Sequence, residues 1–232
     1  MKAYTKQVTK YYKWGDPNVT LVGSPTVSGT NINGFSKSNY ANIPIGFSPS
    51  NRSWEFVIGL SVSGSTSAIQ TIAVVCVSGT SKAGFHLGVE SSKFRFTLRA
   101  TESQVICDGT KGTHTIATNT VYYVKVAFNG SQYTLDYSTD KGKTYIRDIT
   151  VSSTSTVASG TPFSIGENPV YTTPATMAII NLKDAYLKYD NSVVWTGLKQ
   201  VAGTSSDHDF TKLQDIYYAM KQNDKYYTYK GV

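Results

Sequence analysis

The strongest constraint on the fold of this chain is an alternation of apolar and other side chains with a period of two residues. Every second position of the stretch 54–62 is apolar, namely Trp54, Phe56, Ile58, Leu60 and Val62. Successive side chains of a β-strand point to opposite faces of its sheet, so the pattern places these side chains on one face. The stretch is therefore predicted to be a strand with one face against a hydrophobic core.

The same alternation recurs along most of the chain, at 72–76, 85–89, 94–98, 122–128, 133–137, 180–182 and 187–189. Gly, Pro, Asn and Ser separate these segments, as expected for turns between strands. Short strands joined by regular turns are typical of a sandwich or jelly roll. The predicted fold class is all-β, an antiparallel β-sandwich.

Length and composition predict one domain with short extensions. The chain has 232 residues, of which 40% are hydrophobic and 16% charged, enough for one core but low in charge for a helical protein. We expect a sandwich over 16–197, an aromatic and basic extension over 1–15, and a second extension over 198–232. Within the latter, apolar residues at helical spacing after Asp209 predict a short helix over 209–220.

The charge pattern argues against nucleic acid as a partner. The chain has 22 Lys and Arg against 15 Asp and Glu, a net charge of +7, but its basic residues are scattered rather than clustered. Phosphate-tracking proteins concentrate their basic residues on one surface. A mildly basic surface suits approach to an anionic cell wall or polysaccharide without defining the partner.

The sequence shows neither a signal-peptide pattern nor an apolar run long enough for a bilayer. We therefore expect cytoplasmic synthesis without a signal peptide, and no membrane insertion. Cys76 and Cys107 lie in apolar stretches without CxxC spacing. Both are predicted to be free thiols rather than a disulfide.

A motif of the form S-x-D-x-G-x-T-aromatic lies between two predicted strands, 132–137 and 143–149. Its residues are Ser138, Asp140, Gly142, Thr144 and Tyr145. An Asp carboxylate can accept backbone N–H groups within such a turn, and Gly supplies a positive φ. This Asp-box pattern also occurs in sialidase propellers, which repeat it in several blades, whereas one copy is present in this chain. We therefore expect a structural turn and no catalytic role for Asp140.

Several stretches together resemble the concanavalin A-like, laminin-G-like domains of bacteriophage tail, baseplate and fibre proteins. The resemblance rests on the segments 23–25, 34–36, 39–40, 43–44, 54–56, 122–126, 128–130, 163–166 and 181–188, with Tyr133, Trp195 and the Asp-box hairpin. It implies two antiparallel sheets, with a glycan or protein ligand on a concave sheet face or at its rim. Such folds often hold structural Ca²⁺ in acidic loops, but no clustered acidic loop is present, so neither a metal nor another cofactor is predicted.

No catalytic signature accompanies this pattern. Glycanases of this fold need two carboxylates flanking the sugar bond, often from alternate positions of one strand, and no such array is present. Glu55, Glu90, Glu102 and Glu167 are isolated in the sequence and expected in solvent. The histidines, His86, His114 and His208, lack metal-ligand spacing. The chain is therefore predicted not to be an enzyme.

Candidate ligand-binding residues follow from the chemistry of sugar recognition, in which an aromatic face packs on a pyranose while amides and guanidinium groups bond the hydroxyls. The loop candidates are Tyr40, Asn168 and Tyr171. The strand candidates are Arg95 and Arg99, which alternate away from the apolar face of 94–98. The alternatives are tyrosines that close the rim of the core and arginines that are simply solvated.

The termini are rich in tyrosine. Of the 17 Tyr residues, eight lie before residue 16 or after residue 197, whereas disordered tails are poor in aromatics and subunit contacts are rich in Tyr. We expect contacts to be made by Tyr11, Tyr12, Trp14, Tyr226 and Tyr227. These ends either fold back on their own domain or dock on a neighbouring subunit of a homo-oligomer.

The resemblance leads to a functional hypothesis, that of a non-enzymatic virion protein displayed on the surface of a phage tail, baseplate or head. Its lectin-like domain would bind a bacterial surface polysaccharide, and its other partners would be virion proteins. A first alternative is a purely structural fibre or capsid-decoration subunit. A second is a carbohydrate-binding module of a glycan-active enzyme.

Overall fold

The computed structural model describes residues 12–49, 51–64, 67–76, 82–168, 170 and 172–202. Pro17–Gly197 form one compact unit, and the described residues outside it belong to a second. The described residues contain no helix, so the all-β prediction is confirmed. No described segment forms an apolar helix of membrane-spanning length.

The described residues form seventeen strands. In chain order these are β1 (Tyr12–Pro17), β2 (Thr20–Val22), β3 (Thr26–Ser28), β4 (Asn31–Asn33), β5 (Tyr40–Ile43), β6 (Trp54–Val62), β7 (Gln70–Cys76), β8 (Gly84–Glu90), β9 (Lys93–Arg99), β10 (Val105–Lys111), β11 (Tyr122–Phe128), β12 (Gln132–Ser138), β13 (Ile146–Ser152), β14 (Phe163–Ile165), β15 (Ala178–Tyr189), β16 (Ser192–Thr196) and β17 (Leu198–Ala202).

The strands of the larger unit build two sheets. One has seven strands in the order β10-β9-β8-β7-β14-β5-β2. The other has eight, with β13-β12-β11-β6-β15-β4-β3 in order and β16 paired to β15. The pairings within both sheets are antiparallel. In the second unit, β1 pairs with β17.

The core lies between the two sheets and is rich in aromatic side chains. Phe56 of β6 and Phe163 of β14 belong to different sheets, and their ring centroids lie 5.0 Å apart. Phe94 of β9 meets Tyr122 of β11 edge-on at 5.6 Å. Each large apolar side chain buried in this way stabilises the fold by about 1.5–3 kcal/mol. The alternating residues of the sequence therefore hold the sandwich together, and the antiparallel β-sandwich prediction is confirmed.

The predicted strand 143–149 is shifted in the structure, where β13 begins at Ile146. The reason is local, because the backbone N–H groups of Lys143 and Thr144 donate to the Asp140 carboxylate, each at 3.0 Å. Those amides are held within the turn, and the strand starts after it.

Both cysteines are free thiols, as predicted. The pKa of both the Cys76 and the Cys107 thiol is raised to about 11, mainly by burial. Both thiols are therefore neutral and unreactive near neutral pH. Of the predicted terminal contact residues, Tyr12 and Trp14 lie in β1. Tyr11, Tyr226, Tyr227 and the predicted helix 209–220 lie outside the described residues.

Candidate ligand-binding groove

A groove of about 430 Å³ opens on the outer face of the seven-stranded sheet, and we call it the basic groove. The alternation of β9 explains its polar wall, because Phe94, Phe96 and Leu98 point into the core and the residues between them point outwards. Its lining includes the side chains of Val74, Cys76, Lys82, His86, Arg95, Thr97, Arg99, Asp108, Asn168 and Thr173.

Two arginines of β9 dominate the basic groove. Arg95 and Arg99 alternate with the buried residues of β9, so both point away from the core as predicted. Their side chains are nevertheless only 11% and 14% exposed. Arg99 donates from Nη2 to Asp108 at 2.8 Å, and Arg95 forms an ion pair with Glu90 at 3.4 Å. Within the described residues, neither Nε–H has a hydrogen-bond acceptor.

His86 lies beside Thr97 in the middle of this face, because the two are paired in register between β8 and β9. Its Nε2 shares a hydrogen bond of 3.0 Å with the Thr71 hydroxyl. Burial and, secondarily, the charge of Arg95 lower the pKa of His86 to about 3. The imidazole is therefore neutral at physiological pH and can both donate and accept a hydrogen bond.

Asn168 and Thr173 form one wall of the basic groove. The Thr172 N–H donates to the Asn168 carbonyl at 2.7 Å, and the Thr71 N–H donates to the Thr173 carbonyl at 3.2 Å. The first bond closes the loop, and the second ties the wall to β7. The Asn168 side chain is itself buried and accepts from the Val170 N–H at 3.0 Å, so it shapes the wall rather than projecting from it.

The structure unites some of the predicted ligand-binding residues and separates others. Arg95, Arg99 and Asn168 line the same groove. Tyr40 is half-buried on β5 and is not among the residues that line it. Tyr171 lies outside the described residues.

Glu167 lies next to this wall in sequence, and the prediction that its side chain is solvated is wrong. Its side chain is 1% exposed, not solvated as expected for an isolated glutamate. Burial raises its pKa to about 7, against the opposing charge of Lys37. A single sequence position gives no sign of this, because the burial results from packing between distant segments.

The Asp-box residues form a closed hydrogen-bonded turn. The Asp140 carboxylate accepts from the Ser138 hydroxyl at 2.7 Å and the Thr144 hydroxyl at 2.5 Å, as well as from two backbone amides of the turn. These bonds lower the pKa of Asp140. Gly142 has a φ of +76°, and the Tyr145 ring lies 4.3 Å from the Lys125 ammonium. The carboxylate is thus occupied by its own turn.

A second groove, of about 340 Å³, opens on the outer face of the eight-stranded sheet, and we call it the ion-paired groove. Glu55 of β6 contacts Lys188 of β15 at 3.2 Å and accepts from the Tyr186 hydroxyl. The expectation that Glu55 is an isolated, solvated carboxylate is therefore wrong. Alternation places these residues on an outer face, but only the register between β6 and β15 brings them together.

Asp136 provides the other carboxylate of the ion-paired groove. It lies between Lys125, at 3.4 Å, and Arg147, whose Nε donates to it. It is 4% exposed, so a substrate would have to displace its partners to reach it. Both carboxylates serve cross-strand ion pairs, which stabilise a sheet. The described residues contain no group of three or more His, Cys, Asp or Glu positioned to hold a metal ion.

Comparison with known proteins identifies the fold but no family. No protein-family model and no curated protein matches the sequence. The binding domain of botulinum neurotoxin DC, solved in complex with SialylT, matches 74% of this chain and 42% of its own at 14% identity and a TM-score of 0.53. Botulinum neurotoxin type C, whose entry into cells depends on interaction with two ganglioside molecules, is a second match. It covers 74% of this chain and 43% of its own at 15% identity and a TM-score of 0.52.

The sialidase of Trypanosoma rangeli, in complex with the inhibitor DANA, matches 74% of this chain and 29% of its own at 12% identity. The TM-score of this match is 0.47. This chain spans less than half the length of each of these proteins. What the neurotoxin domains share with it is the fold, a β-sandwich.

Proposed function

We propose that this protein is a non-enzymatic, glycan-binding protein whose ligand lies in the basic groove. The observation that carries the proposal is the combination of an apolar floor with fixed polar groups on one open sheet face. Half-buried Ile69 supplies apolar surface beside the buried Val74 and Cys76, while His86 and the two arginines supply donors and acceptors. A pyranose presents the same combination, with an apolar ring face and hydroxyls at its edge.

Catalysis is not part of the proposal because of the way the carboxylates are placed. Glycoside hydrolysis requires two carboxyl groups on either side of a sugar bond. In the basic groove, Asp108 is the one carboxylate among the described lining residues, and it is paired with Arg99. In the ion-paired groove, Glu55 and Asp136 are engaged by cations of their own sheet.

The related folds give independent support for a glycan ligand. The neurotoxin domains with this fold were solved with SialylT or interact with gangliosides. Their identity of 14–15% carries no residue correspondence, so the place of the ligand in this chain rests on the chemistry of its own groove.

The finer part of the proposal is that the protein is displayed on the surface of a bacteriophage virion, on a tail, baseplate or head, and binds a host polysaccharide there. Its support is the resemblance of the sequence to phage lectin-like domains. Mass spectrometry of purified particles and cryo-electron microscopy of the virion test it. A chain that is present in the particle, but whose groove is covered by other virion proteins, would favour the purely structural alternative.

Glycan binding is tested on an array of bacterial polysaccharides and on host cells with purified protein. Arg99→Ala removes a groove guanidinium, and Lys188→Ala is the matched control in the ion-paired groove. We expect Arg99→Ala to weaken binding at least tenfold and Lys188→Ala to leave it unchanged. Silence across host glycans would overturn the function, and loss of binding only in Lys188→Ala would move the site to the other sheet.

A further inference from the structure

We propose that the basic groove selects acidic glycans, through the anionic oxygens of a carboxylate or sulfate group held by Arg95 and Arg99. This inference rests on the proposed glycan-binding function and narrows its ligand class. The charge of the groove is the first reason. The described lining residues include three cations, Lys82, Arg95 and Arg99, against the single acid Asp108.

Cations still outnumber carboxylates when the charged residues around the groove are counted as well. Glu90 pairs with Arg95, but it is shared with Lys111 at 3.0 Å. Glu102 lies close by and accepts from the Lys82 N–H at 3.4 Å. Adding these residues gives four cations against three carboxylates, so the surroundings do not neutralise the groove. A partly buried net charge attracts an anion more strongly than an exposed one does, because solvent screens it less.

The arginines also retain hydrogen-bonding capacity. Each Nε–H is buried and lacks a hydrogen bond within the described residues. The Arg95 Nε lies 3.4 Å from the Glu90 carboxylate as an ion pair, whereas Arg99 pairs with Asp108 through Nη2. A buried donor without an acceptor is destabilising, and an acceptor supplied by a ligand relieves that cost. Planar guanidinium groups match the geometry of carboxylate and sulfate oxygens.

The order of residues across the sheet leaves room for such a ligand. Arg99 is opposite Gly84 of β8, and Arg95 is opposite Gly88. Because glycine has no side chain, β8 places no side chain directly beside either arginine, and the Arg95 guanidinium lies on the other side, against Gly109 of β10. Between these two positions lies the neutral pair of His86 and Thr97. The Thr97 hydroxyl accepts from the Gly109 N–H at 2.9 Å and His86 Nε2 is bonded to Thr71, which leaves the other ring nitrogen of His86 for a sugar hydroxyl. The groove thus alternates cationic, neutral and cationic positions along β9.

The selection is tested by isothermal titration calorimetry with matched oligosaccharides, namely a uronic-acid-containing chain, its carboxyl-reduced form and a sulfated form of the reduced chain. We expect the wild-type protein to bind the uronic form at least tenfold more tightly than the reduced form, with affinity falling as the NaCl concentration is raised. Binding of the sulfated form identifies sulfate as a source of the anion as well. Its failure to bind assigns the selection to carboxylates.

Arg95→Gln and Arg99→Gln are the test variants, and Lys188→Gln is the control with the same change in charge. Each arginine variant should lose at least tenfold in affinity for the acidic chain and little for the reduced chain, while Lys188→Gln retains both. Circular dichroism confirms folding, and either arginine variant suffices if the other does not fold. The inference is overturned if the wild-type protein binds the uronic and reduced chains with equal affinity, or if Lys188→Gln loses as much affinity for the acidic chain as the arginine variants do. Either result would leave the proposed glycan-binding function standing. Absence of binding to any chain contradicts the proposed function itself.

Discussion

The outer faces of the two sheets carry grooves of similar size but opposite chemistry. In the ion-paired groove, Asp136 lies between two cations and Glu55 is held by Lys188 and Tyr186. In the basic groove, cations exceed carboxylates and two guanidinium donors lack acceptors among the described residues. The comparison shows that outward polar residues on a sandwich serve the fold where they satisfy one another, and remain available to a ligand where they do not.

The largest effect that tests this comparison is expected in the ion-paired groove. Asp136→Ala leaves Lys125 and Arg147 without their shared carboxylate on a half-buried surface, and should lower the free energy of unfolding by about 3 kcal/mol. Urea denaturation followed by tryptophan fluorescence measures it. Glycan affinity of the folded variant should not change. A fall in affinity without loss of stability would reverse the roles of the two grooves.

An intermediate effect is expected at Glu167, beside the wall of the basic groove. Because burial raises its pKa from 4.5 to about 7, the folded protein binds this proton more tightly than the unfolded chain. Below pH 4.5 this carboxyl is protonated in both states, and its ionisation does not affect the free energy of unfolding. As the pH rises from 4.5 towards 7, the carboxyl ionises more readily in the unfolded chain, so the free energy of unfolding falls. Because one pKa unit corresponds to about 1.4 kcal/mol, Glu167→Gln should stabilise the protein by up to about 3 kcal/mol near pH ~8 and much less near pH ~5.

Thermal unfolding of the wild-type protein and Glu167→Gln at both pH values checks this prediction. Glu102→Gln, in an exposed position, is the control and should show no such difference. A destabilised Glu167→Gln at the higher pH would mean that the carboxylate has a stabilising cation partner in the folded protein that outweighs the effect of burial.

The smallest stability effect is expected for Arg99→Ala. Its partner Asp108 has a side chain that is 60% exposed, and ion pairs to exposed groups contribute about 0–1 kcal/mol. The free energy of unfolding should therefore fall by less than about 1 kcal/mol, while glycan binding weakens at least tenfold. A loss as large as that of Asp136→Ala would show that Arg99 is a structural residue and would remove the contrast between the grooves.

Much of the fold could be predicted from alternation alone. The strand predicted over 54–62 is β6 with the same bounds, because every second position, from Trp54 to Val62, is apolar and faces the core. Where local hydrogen bonds compete with the pattern, as at Lys143 and Thr144, the strand prediction was wrong. The short strands β2 to β5 contain too few residues to show a clear period.

Only part of the candidate site could be predicted from the sequence. Alternation on β9 predicted that Arg95 and Arg99 share a face, since both lie on one strand. The approach of His86 to Thr97, and of Glu55 to Lys188, depends on register between strands, which a single strand does not encode. The burial of Glu167 depends likewise on packing between segments distant in sequence.

The central claim is that the ligand occupies the basic groove and not the ion-paired groove. The most direct measurement is nuclear magnetic resonance of the labelled protein titrated with an acidic oligosaccharide. We expect chemical-shift changes at His86, Arg95, Thr97 and Arg99, with Glu55 and Lys188 unaffected. Changes confined to Glu55, Lys188 and their neighbours on the eight-stranded sheet would contradict the claim.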